Sequence, residues 1–168
     1  MRYVILVFLL LLTLVLPGTL FHLWAWSGIK PDLAMLFIIY VALHEPKWTG
    51  ILWGLGTGLI EDFYLGHYLG MYSVTLTLVA ALTSWLAGRW YRENFSLTML
   101  LVFLVTAVGQ LMVGFLGLGA GLSWSASDIF RLVLGVSIYN ALLVPVTYPW
   151  IHRSFLHGWL RYRPKYER

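Results

Sequence analysis

Apolar runs broken by short polar punctuation set the rhythm of this chain. Such runs, about 20 residues long at 1.5 Å per residue, match the ~30 Å hydrocarbon core of a bilayer. The pattern predicts six helical spans, at about 3–26, 31–45, 48–64, 68–87, 97–118 and 128–152, followed by a basic tail over 153–168. The first run opens like a signal peptide. It continues past Pro17-Gly18 to Trp26, too far for an h-region, and reads as an uncleaved span kinked or broken at Pro17. The turn "SGIKPD" follows. Pro31 and Asp32 suit the first turn of the second helix, where proline needs no donor and a carboxylate complements the helix dipole. That helix stops before Pro46 and is short, roughly 21 Å. A re-entrant hairpin of helices two and three is the alternative, and it would have to be buried in protein.

Composition turns this pattern into a class. Of 168 residues, 60% are hydrophobic and 11% are charged, and the mean hydropathy is +0.80. A soluble domain carries roughly 25% charged residues, so this chain could not cover a water-facing surface. The expected fold is an all-α, polytopic membrane protein in a single integral domain, without room for a soluble catalytic or nucleic-acid-binding unit. Cysteine is absent, which excludes disulfides, thiolate metal sites and cysteine nucleophiles.

The net charge of +4 matters by position. With six spans, Arg2, Lys47, Arg89, Arg92, Arg153, Arg161, Arg163, Lys165 and Arg168 fall on one side, and Lys30 and Arg131 on the other. That asymmetry places both termini in the cytoplasm. Tryptophans near the predicted helix ends fit interfacial anchoring, and Trp53 alone sits well inside a span.

Candidate chemistry concentrates in "GILWGLGTGLIEDFYLGHYLG". Gly50, Gly54, Gly58, Asp62, Gly66 and Gly70 occupy every fourth position, and Glu61 stands beside Asp62 in a chain with only seven acids. Residues four apart stack on one helical face, so the glycines form a flat groove that another helix or a partner can approach. Glu61 lies about 21 Å past Lys47, in the outer third of the core. The acid pair admits three roles: a catalytic site, a ligand or proton site, and a structural knot where helices meet. Adjacent residues on a helix point apart and cannot easily share one substrate atom. Metal binding would need more ligands than nearby His67. Ser73 and Ser84 lack the glycine-flanked setting of an intramembrane serine protease. Helix packing or partner docking is therefore the favoured role, with no catalytic residue, cofactor or metal expected. Gln110 reads as an interhelical hydrogen bond. Asn140, with Pro145 and Pro149, marks a distorted sixth helix whose freed carbonyls need partners. His22, His44, His152 and His157 have no companion at ligand spacing. Arg153, Arg161, Arg163, Lys165 and Arg168 form a tail suited to anionic lipids, at roughly 1 kcal/mol per basic residue.

Several of these segments together resemble the rod shape-determining protein MreD family. They are Pro31-Asp32 opening the second helix, Gly58-Leu59 through Asp62, Gly66, Leu69 and Gly70 closing the third, and "YNALLVPVTYPWIHR" in the last. The resemblance covers nearly the whole chain. It implies a non-enzymatic scaffold of the cell-elongation complex that positions lateral peptidoglycan synthesis. The implied partners are an MreC-like bitopic protein and, through it, an MreB-like actin homologue and peptidoglycan synthases, with no nucleic acid. It also implies a fold similar to the S components of energy-coupling-factor transporters. The alternative is thus a substrate-binding subunit of a vitamin-type transporter, although the first helix lacks the alanine-x-x-x-alanine docking motif of those subunits.

Overall fold

A computed structural model describes residues 2–19, 29–66, 70–90 and 95–156. These residues form six α-helices and no strand: α1 (Arg2–Thr19), α2 (Leu33–His44), α3 (Lys47–Leu65), α4 (Met71–Trp90), α5 (Phe95–Gly119) and α6 (Ala126–Leu156).

Local chemistry explains the helix ends. Asp32 is the N-cap of α2 and lies outside its first turn, which corrects the expected start at Pro31. Its Oδ1 accepts from the Met35 amide at 2.9 Å, satisfying one of the amides that every helix leaves open at its start. At the other end Glu45 is extended, as the residue before a proline must be, and Pro46 caps α3. Gly66, at φ 66°, ends α3 in the left-handed region. Gly121, at φ 90°, ends α5 in a Schellman motif: Leu122 N donates to Gly117 O at 3.0 Å, and Gly121 N donates to Leu118 O at 3.1 Å. Asp128 then reaches back to the Ser125 amide at 3.1 Å and fixes the start of α6.

The element α1 continues through Pro17 to Thr19 as a helix; residues 20–26 of the expected first span lie outside the described residues. Likewise α6 runs through Pro145 and Pro149 as one 31-residue helix. The Thr147 hydroxyl donates to Leu143 O at 2.8 Å within it, and the Tyr40 hydroxyl therefore donates to Thr147 Oγ1 at 2.8 Å.

At the centre stands α2. Ala34 through Leu43 are all buried, and α2 meets α1, α3, α4, α5 and α6. At 12 residues it is only about 18 Å long. Around it, α3 pairs with α4 and α5 with α6. Outward faces carry Phe8, Leu52, Phe63, Phe115, Phe130, Leu142, Val146 and Trp150, all exposed. An apolar exterior on this scale belongs in lipid, and the chain is a membrane protein.

Among the described residues, three helices are long and apolar enough to cross a membrane: Met71–Gly88, Phe95–Gly119 and Ala126–Phe155. The expectation of six is met only to that extent. Asp32 and Pro46 cut α2 short, the described apolar part of α1 ends at Leu16, and α3 carries Lys47, Glu61 and Asp62 within 19 residues.

Candidate functional site

Asp62 joins two helices. It is 1% exposed near the end of α3, and its carboxylate faces the start of α4. The amides of Gly70 (2.9 Å), Tyr72 (2.8 Å) and Ser73 (3.0 Å) donate to it, as does the Ser73 hydroxyl. These are first-turn amides, which lack partners inside their own helix, and they sit at the positive end of the helix dipole. The acid therefore caps α4 from the preceding helix. Gly66 and Gly70 (φ 100°) turn the chain between the two. Four donors on two oxygens leave this carboxylate little capacity to accept a proton from a substrate.

The glycine row faces the same neighbour. A Cβ at Gly54 would sit 2.6 Å from Leu76 O, and one at Gly58 would sit 2.6 Å from both Ser73 N and Tyr72 O. At Gly50 it would meet Ala42 Cα of α2 at 3.1 Å and Ser84 Oγ of α4 at 3.5 Å. The groove is thus filled by the chain's own α4 and α2. Nothing lies within 4 Å of such an atom at Gly66 or Gly70, whose part is conformational.

A second joint contains the interhelical hydrogen bond expected of Gln110, on a partner the sequence did not indicate. Asn140, fully buried on α6, pairs with the backbone of Asp32: its Oδ1 accepts from Asp32 N at 3.1 Å, and its Nδ2 donates to Asp32 O at 3.1 Å. Gln110 Nε2 on α5 donates to Asp32 Oδ2 at 2.9 Å. One residue at the head of α2 thereby ties together α2, α5 and α6. Asn140 thus serves the backbone of a distant helix start. The only local signals were a Pro-Asp before an apolar run and an amide in the middle of another.

Glu61 behaves differently from its neighbour. Its Oε2 is buried and has no hydrogen-bond partner among the described residues. It lines a cavity of about 460 Å³, to which Asp32 and Gln110 also contribute.

At the opposite end, His44 Nε2 lies 3.0 Å from His152 Nδ1, and the Tyr148 hydroxyl lies 3.3 Å from the same nitrogen. His44 Nδ1 donates to Tyr40 O at 2.8 Å. The two histidines do have a companion, each other, which their 108-residue separation concealed. No group of three or more metal-ligating side chains exists among the described residues. Arg153 is exposed near the end of α6. His22, His67, His157, Arg161, Arg163, Lys165 and Arg168 lie outside the described residues.

A family profile, rod shape-determining protein MreD, matches residues 1–156. The chain belongs to the MreD family. No curated protein and no solved structure matches it. Within this MreD-family chain, the match takes in both joints, the glycine row and the cavity.

Proposed function

We propose that this MreD-family protein is a non-enzymatic scaffold of the cell-elongation complex, multi-pass in the cytoplasmic membrane with both termini cytoplasmic. It holds an MreC-like bitopic protein and, through it, an MreB-like actin homologue and the synthases of lateral peptidoglycan. The observation that carries the non-catalytic part is the Asp62 carboxylate, whose two oxygens are engaged by α4 donors. The orientation is supported by Lys47 and Arg153 standing at the end of the bundle where His44 meets His152, with Lys30 and Arg131 at the other. The basic tail adds contact with anionic lipids. Because the glycine groove is occupied internally, the partner surface lies on the exposed apolar faces.

Mild crosslinking in native membranes, followed by mass spectrometry of what copurifies with the tagged chain, tests this proposal. Recovery of an MreC-like bitopic protein together with peptidoglycan synthases is expected. Recovery of transporter ATPases with their membrane coupling subunit would overturn it.

A further inference from the structure

Among the described residues, a cavity and an unpaired buried carboxylate oxygen meet at Glu61. The cavity of about 460 Å³ lies at the end of the bundle where α2 and α4 begin and α3 and α5 end. Its polar wall is made by Glu61, Asp32 and Gln110, and aromatic rings reach it from Tyr64, Tyr72 and Trp124. Apolar side chains from α1, α2, α5 and α6 also line it. This volume lies within the range of pockets for small organic ligands, roughly 300–1,000 Å³.

The two carboxylates in the wall differ in what they already hold. Asp32 is committed, one oxygen to the Met35 amide and the other to Gln110. Glu61 Oε2 is buried without a donor among the described residues. Lys30 also lines the cavity, yet it is exposed and forms no ion pair with Glu61. A buried acceptor without a donor is costly, and the group that best matches a carboxylate is a charged N–H donor. Tyr64, Tyr72 and Trp124 in the same lining offer an apolar body a surface to lie against.

We propose that this cavity is a binding site for an organic cation, a primary ammonium on an apolar body, with Glu61 as its counter-charge. The ammonium sits against Glu61 Oε2, and the apolar body lies between the aromatic rings and the aliphatic wall. Two sources share this chemistry: the head group of an aminophospholipid and a soluble amine. The site is separate from the scaffold surface, so it stands or falls independently of which partner is recovered.

The test uses the full chain purified in an uncharged detergent, with n-octylammonium and 1-octanol as probes of equal apolar length. Half-maximal thermal stabilisation is expected at about ten-fold lower octylammonium than octanol, and Glu61→Gln should abolish that preference. Equal potency of the two probes on the wild-type chain overturns the proposal. Should Glu61→Gln fail to fold, an alkylammonium diazirine on the wild-type chain replaces it. Labelling is expected on peptides holding Tyr64, Tyr72 or Trp124 and is suppressed by octylammonium but not octanol; labelling spread along the outward apolar faces overturns the site. Suppression by phosphatidylethanolamine but not phosphatidylglycerol in nanodiscs assigns the lipid source, and suppression by phenethylamine alone assigns the soluble one.

Discussion

Asp62 and Glu61 are neighbours with opposite circumstances, and helical geometry separates them. About one hundred degrees of rotation turns Asp62 toward the amides of α4 and leaves Glu61 at a cavity wall. Replacing Asp62 by asparagine presents an amide donor to a cluster of donors. Asp62→Asn should lower stability by about 1–3 kcal/mol, read from unfolding in detergent. Asn140→Leu keeps the branched outline of the side chain but strips both partners from the Asp32 backbone, and a loss of about 2–5 kcal/mol is expected by the same measurement. The glycines divide just as sharply. Gly54→Ala forces a Cβ against Leu76 O and should cost about 1–3 kcal/mol. Gly56 has nothing within 4 Å, so Gly56→Ala should be neutral or stabilising by up to about 1 kcal/mol through helix propensity. Equal losses at Gly54 and Gly56 would show that α4 does not approach α3 closely.

Among the helices, α2 holds the bundle together although it is the shortest. Its length follows from Asp32 and Pro46, both legible in the sequence, and its burial on every face fits an apolar run lacking a polar side. Its amides should therefore exchange with deuterium more slowly than those of α3, whose outward face carries Trp48, Leu52 and Phe63. Faster exchange in α2 would contradict its central place. Spacing by four announced the glycine groove, but no period in the chain says which helix fills it. Asp62 caps a helix that begins nine residues later, across a turn, and Asn140 meets Asp32 across 108 positions. Contacts of that range carry no local signature. Apolar length overstated the spans for a related reason: a short helix wrapped in protein and a helix crossing lipid are written in the same residues.

At the scale of the whole molecule, the polar groups at the two joints hold helices together, while the exposed surface is apolar and available to lipid or a partner. The joints should matter to the assembly only through the fold. The most direct measurement is recovery of the MreC-like partner with Asp62→Asn, normalised to the amount of folded chain in the membrane. On this account recovery falls in step with the folded fraction and reaches wild-type levels per folded molecule. Loss of partner capture at a full folded fraction would contradict it, because Asp62 would then act on the partner directly rather than as the cap of α4.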